Sequence, residues 1–164
     1  MNIRGTRILG APRDAVFAAI CDPDTLLAVI PGCRAIEKVD DAEYRAEITL
    51  RLPGVVGTYR TVVRLDDADA PHRGVLQGEV EGPLGSIRGQ ATFRLAETDT
   101  GTTVDYEGQA TIGGPLARLD SRFVEGLAGS LIGQGLANLD EQLQRERTAV
   151  IAVDGHESHE EATG

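Results

Sequence analysis

Between Arg34 and Ile112 the apolar residues recur at every second position, the spacing of strands with one buried face. In Glu43–Leu52, Tyr44, Ala46, Ile48, Leu50 and Leu52 fall on one side and Glu43, Arg45, Glu47, Thr49 and Arg51 on the other. Tyr59, Thr61, Val63 and Leu65 continue the inner row, followed by Leu76, Gly78 and Val80. Ile87, Gly89, Ala91, Phe93 and Leu95 come next, and then Val104, Tyr106, Gly108, Ala110 and Ile112. Turn residues separate the runs at hairpin distance, which predicts an antiparallel meander. Its apolar face needs a cover.

The flanking segments change period. Residues 2–9 predict a first strand, and Ala11-Pro12 opens a short helix to about Cys21 with Val16, Phe17 and Ile20 on its apolar side. Asp22-Pro23 is a second helix start, an N-cap followed by a first-turn proline, with Leu26, Leu27 and Ile30 pointing inward. Residues 113–147 predict one long helix. Leu116, Leu119, Phe123, Leu127, Leu131, Gly135, Leu139 and Leu143 recur there at steps of three or four and form a stripe. Its middle, residues 126–137, is almost entirely small or apolar. Each glycine there costs about 0.8–1 kcal/mol relative to alanine, so burial rather than propensity must hold this helix. From about Thr148 an acidic tail follows, expected to be disordered, which divides the chain into a domain over 1–147 and a tail over 148–164.

Two expectations about function follow from this layout. Connections in a meander alternate between the two ends of the sheet. One set (around Asp40-Asp41, Asp66 to Pro71, and Glu97 to Gly101) is acidic, while the other is uncharged and carries Val55, Val56, Leu84 and Leu116 at its tips. Clustered apolar tips predict a docking or entry site. The inner row also contains Ala46, Gly78, Gly89, Ala91, Gly108 and Ala110, and the helix above brings Gly126, Gly129 and Gly133. Small residues opposite small residues predict a cavity of the kind that holds apolar ligands. Tyr44, Tyr59, Tyr106 and Arg122 are the polar groups available to orient an occupant.

Composition narrows the partners. A net charge of −10 over 164 residues with no basic run argues against nucleic acid or an anionic lipid surface as the main partner. No apolar run reaches the roughly 20 residues of a membrane span, and a cytoplasmic protein is expected. Cys21 and Cys33 read as small buried hydrophobes. The His156–Glu160 cluster lacks a metal-site spacing, and the glycines of residues 129–135 lie inside a helix rather than after a strand, so they are no dinucleotide loop. No catalytic or metal constellation emerges.

The segments Asp22-Pro23-Asp24-Thr25-Leu26, Ile30-Pro31-Gly32-Cys33 and Gly101-Thr102 with Tyr106 are similar to the CoxG family of carbon monoxide dehydrogenase accessory proteins, as is the run from Gly113 to Arg122. This family lies within the START-like (SRPBCC) helix-grip superfamily, and the resemblance spans roughly residues 1–145. It implies an α+β helix-grip fold of order β-α-α-β6-α, a curved antiparallel sheet wrapped around a long C-terminal helix with an internal apolar cavity. It also implies a non-catalytic accessory protein of a molybdenum-containing hydroxylase. Such a protein holds a hydrophobic molecule such as a quinone and brings the enzyme to the inner face of the membrane. Where many members extend into a C-terminal anchor, this sequence ends in the acidic tail, so transient contact through Val55, Val56, Leu84 and Leu116 is expected instead. Ligand-lining residues are expected on the strands at Leu50, Tyr59, Leu84, Ile87, Phe93 and Tyr106. From the helical segments Phe17, Leu27, Ile30, Leu116, Arg122, Phe123, Leu127 and Leu131 are expected to join them. Two rivals remain: a cyclase- or hydratase-type enzyme acting on an apolar substrate, as among other helix-grip proteins, and an assembly factor without ligand.

Overall fold

The structure, a computed structural model, describes the backbone of residues 1–163 and the side chains of residues 1–149. The expectation of a disordered acidic tail over 148–164 therefore falls, beyond Ala149, outside the residues whose side chains are described. Strand β1 (Asn2–Leu9) is followed by helices α1 (Arg13–Cys21) and α2 (Pro23–Val29). Six strands come next: β2 (Cys33–Lys38), β3 (Glu43–Leu52), β4 (Val55–Asp66), β5 (Arg73–Gly82), β6 (Gly85–Thr98) and β7 (Gly101–Gly113). A 3-10 turn (Gly114–Arg118) leads into the last helix, α3 (Ser121–Thr163).

Local chemistry sets these boundaries. Pro12 precedes α1 with extended backbone. Asp22 caps α2, its Oδ1 accepting from the Asp24 amide at 3.3 Å and its Oδ2 from the Thr25 hydroxyl at 2.7 Å, with Pro23 in the first turn. The β3–β4 turn is Pro53-Gly54, and Gly54 takes the left-handed φ of +79° that this tight connection requires.

All strand pairs are antiparallel, in the order β1-β7-β6-β5-β4-β3-β2. The meander is thus β2 to β7, and the chain's first strand pairs with its last. Register confirms a common inner row: Tyr44 opposite Val63, Val63 opposite Gly78, Gly78 opposite Gly89, and Gly89 opposite Ala110. The helices lie over this face, α1 against β6 and β7, and α3 against β1 and α2.

The predicted helix over 113–147 is interrupted at its start. Gly114 has a φ of +74°, and Pro115 follows it in a short 3-10 turn. Asp120 then restarts the chain as a helix, its Oδ1 accepting from the Arg122 amide at 2.8 Å. Leu116 and Leu119 therefore do not belong to the α3 stripe. The inward face of α3 carries Val124, Leu136, Leu139 and Leu143, while Phe123 is 41% exposed. Steps of four advance about 40° around a helix of 3.6 residues per turn, so the row from Phe123 to Leu143 turns away from a single face.

Candidate functional site

The core is divided. One cluster gathers at the acidic-loop end: Leu9, Val16, Phe17, Val29, Tyr44, Leu65, Phe93, Leu95, Val104, Leu139 and Leu143 among its buried members. Phe17 and Phe93 are in ring contact there, with centroids 5.8 Å apart and planes at 43°. A second, smaller cluster at the other end consists of buried Val55, Tyr59, Leu116 and Val124, with Leu50, Leu84, Ile87 and Leu127 packed partly buried against it. Between the two lie the small residues of the inner row.

Helix α3 is fixed at its two ends. Toward its C-terminal side, the Gly10 amide donates to Asp140 Oδ1 at 2.9 Å, and Gln144 Nε2 donates to the Gly10 carbonyl at 2.6 Å. Asn138 Nδ2 donates to the Val29 carbonyl at 2.9 Å, and α3 runs beside Val29 and Pro31 at Gly135 with room for a methyl group there. Toward its N-terminal side, Val124 and Leu127 sit in the second cluster. The middle is not packed. A Cβ added at half-buried Gly129 or Gly133 would meet nothing within 4 Å, as at Gly126, which faces solvent, and one added at Gly78 would meet only Val63 and the Val62 carbonyl of the next strand. The backbone of α3 comes close to β1, α2 and α1. The inward residues Ile48, Val63, Leu76, Val80, Ala91 and Gly108 are only half-buried, as are Leu131 and Ile132 above them.

Two hydroxyls on β4 distinguish this region chemically. Tyr59 is 4% exposed, its ring seated on Gly82, where a side chain would collide with it. Tyr59 Oη and Thr61 Oγ1 are both buried, and neither has a hydrogen-bond partner. Buried hydroxyls are normally paired. Thr102 is the ordinary case, wholly buried and donating to the Ala11 carbonyl at 2.7 Å. Tyr44 is also paired, its hydroxyl donating to the Cys21 carbonyl at 2.7 Å, and burial raises its pKa above the usual phenol value. Burial likewise raises both cysteine thiols, leaving them protonated at neutral pH. Among the described residues no three His, Cys, Asp or Glu side chains gather as a metal site.

The expected lining residues separate into three groups. Leu50, Tyr59, Leu84, Ile87, Leu116 and Leu127 come together at one end, and Phe17, Ile30, Phe93 and Tyr106 at the other, with half-buried Leu131 between them in neither cluster. Leu27 (41% exposed), Phe123 and Arg122 are on the surface instead. Arg122 and Phe123 lie in the first turn of α3, whose inward position is taken by Val124. Tyr44 points to the α1 end rather than into the gap. The apolar tips are corrected too: Val55 (6% exposed) and Leu116 (5%) fold inward and Leu84 is half-buried, leaving Val56 outside at 62%. Val55 and Val56 are the first two residues of a strand, so they must face opposite ways. Thr61 was not expected as a site residue, although a hydroxyl within an apolar inner row was a visible signal. A cleft of about 690 Å³ lies on the opposite face of the sheet, lined by apolar residues such as Met1 and Val62 as much as by the charged Arg64, Glu79 and Arg88.

A curved seven-stranded antiparallel sheet with a long C-terminal helix defines a START-like helix-grip fold. Solved structures agree. A conserved protein from Geobacillus kaustophilus superposes with a TM-score of 0.84 at 24% identity, covering 88% of this chain and 96% of that one. A START superfamily protein from Mycobacterium smegmatis gives 0.70 at 9% identity, with 88% and 97% covered. A protein from Chromobacterium violaceum gives 0.69 at 17%, with 86% and 95% covered. No curated protein matches the chain significantly. The family model for CoxG, the G component of carbon monoxide dehydrogenase, matches residues 5–144, and the chain belongs to that family.

Proposed function

We propose that the protein is a non-catalytic carrier that holds a long apolar molecule, such as a quinone, between the sheet and α3. In this reading it serves a molybdenum-containing carbon monoxide dehydrogenase-type hydroxylase by supplying that molecule or by bringing the enzyme to a membrane. The observation that supports the reading is the open space beside the middle of α3, where added methyl groups at half-buried Gly129 and Gly133 would meet no atom within 4 Å. Evenly packed interiors leave few voids larger than a water. Apolar burial at about 25 cal/mol/Å² is sufficient to retain a ligand there without charged contacts. Family membership supports the partner, and exposed Val56 and Phe123 supply apolar contacts for transient docking. Among the described residues no helix is long and apolar enough to cross a membrane.

Native mass spectrometry and organic extraction of the purified protein test the carrier. A co-purifying lipophilic compound, or a thermal shift with added quinones, is expected; finding neither would sink the reading. Val56→Asp with Phe123→Asp separates the carrier from a ligand-free assembly factor. Lost partner or vesicle association with ligand retained fits the carrier, whereas a chain that never holds ligand fits the assembly factor.

A further inference from the structure

We infer that the outer face of the sheet, opposite the helices, is the surface through which two copies of this chain associate as a two-fold dimer. Its centre is a row of side-chain amides in register on four adjacent strands. Asn2 of β1 stands opposite Gln109 of β7, Gln109 opposite Gln90 of β6, and Gln90 opposite Gln77 of β5, and all four are exposed. Arg64 of β4 and Glu43 of β3 continue the row, joined to each other at 3.2 Å. This row is a ridge with a furrow on each side. The cleft of about 690 Å³ separates it from Thr111, Arg88, Glu79 and Val62, and a second of about 540 Å³ separates it from Thr92, Glu107 and Arg4.

Ridge and furrow together make a self-complementary shape. A two-fold axis parallel to the ridge seats the ridge of each copy in a furrow of the other, the isologous contact usual in homodimers. Gln77, Gln90 and Gln109 then lie beside their own counterparts, and a primary amide, with two donors and an acceptor, bonds to its own kind. Charge also selects an identical chain as the occupant. Across the face arginines stand in register with carboxylates: Arg4 with Glu107, Arg88 with Glu79 at 2.8 Å, and Arg60 with Glu47 on one side and Glu81 on the other. Among the described residues the one like-charged pair in register, Arg73 with Arg94, has Asp69 and Asp105 beside it. The face is therefore close to neutral in a chain of net charge −10. A strongly acidic or basic partner gains nothing from it, whereas a second copy is spared there the repulsion it meets elsewhere. Strands β3 to β7 each have ten residues or more. At about 4.8 Å between strands and about 3.3 Å per residue they offer a plane of roughly 800 Å². About 800 Å² from each partner makes a standard specific interface. Because its groups give up hydration on pairing, the contact is weak. It leaves the space between sheet and α3 untouched, so it holds or fails independently of the carrier reading.

The test is sedimentation equilibrium of the full chain over about 5–500 μM, at low salt and at about 0.3 M salt. A monomer–dimer equilibrium with a Kd on the order of 10–100 μM is expected. It should tighten as salt rises, because screening removes the repulsion between two acidic chains and leaves the amide contacts in place. Gln77→Lys combined with Gln90→Lys should weaken it by about tenfold or more with the melting temperature unchanged. Both changes add positive charge to an acidic chain and lower its general repulsion, so a weaker dimer reports on the ridge itself. Gln109→Lys, on the neighbouring strand, probes the same row should the double variant melt lower. Val56→Ser with Phe123→Ser should leave association unchanged. A monomer throughout the range overturns the inference. So does a dimer that loosens as salt rises, one that survives the lysine variants, or one abolished by the Val56 and Phe123 changes.

Discussion

At the acidic-loop end of the molecule α1, α2, α3 and the sheet converge on one core, where Thr102 is paired to Ala11, Tyr44 to Cys21, and Asp140 and Gln144 to Gly10, although the buried Nε atoms of Arg13 and Arg73 have no partner. At the opposite end four buried residues are ringed by half-buried ones, α1 and α2 are absent, and one of the four, Tyr59, leaves its hydroxyl unpaired. The same sheet serves both ends, so strand chemistry does not account for the difference. It comes from where the helices sit. The contrast assigns stability to the first end and gives the second the looseness that ligand entry requires, as expected of regions drawn from the low-stability part of a fold.

The strongest way to break this comparison is to truncate matched leucines. Leu139→Ala, in the first cluster at 4% exposure, should destabilise by about 2–5 kcal/mol in denaturant unfolding. Leu127→Ala, half-buried at the other end, should cost under half as much. Equal losses would mean that the two ends are packed alike. A second contrast uses two threonines. Thr102→Val leaves the buried Ala11 carbonyl without its donor and should cost about 1–3 kcal/mol, whereas Thr61→Val should be neutral or slightly stabilising by thermal melting. Next comes the helix between the ends. Gly129→Ala and Gly133→Ala meet no neighbouring atoms and should each raise stability by up to about 0.8–1 kcal/mol, the helix-propensity gain. A loss in either would reveal contacts that the structure lacks.

The smallest effect is electrostatic and concerns the acidic loops. Asp40 accepts from the Ala42 and Glu43 amides, each at 2.8 Å, and those bonds hold its carboxyl below the usual value of 3.8. A lowered folded-state pKa means that the contribution is complete above the unfolded value and disappears as pH falls through the folded one. Titration of Asp40 by NMR should therefore give a midpoint below 3.8. A midpoint at or above it would show that the turn is not held by these bonds in solution.

Much of the fold was legible because it is written in local terms. Period-two rows fixed which face of each strand is buried, Asp22-Pro23 marked the start of α2, and the turn residues spaced the meander. The site was legible only in part. Tyr59 was singled out as a polar group on an inner row, but its lack of a partner depends on atoms from other strands. Phe123 was placed inward because a stripe read in steps of four ignores its own rotation, and Arg122 was expected beside it as a polar group to orient an occupant. In a helix with glycines and leucines on several sides, composition does not decide which side is covered. Val55 and Val56 show the same limit at smaller scale, since a loop reading leaves both exposed and a strand reading must bury one.

The sequence by itself determined the order of elements, the inner and outer faces of the sheet, the family, and the presence of small residues where bulk would normally be. These follow from spacing and residue type, which are local properties of the chain. Tertiary structure decided that half-buried Gly129 and Gly133 of α3 have no atom within reach of an added methyl group. It also decided that the core splits into a larger end that three helices cover and a thin one, and that two hydroxyls on β4 remain without partners. Those outcomes depend on where α3 is anchored, and its anchors are contacts with β1 and α2 more than a hundred residues away in the chain.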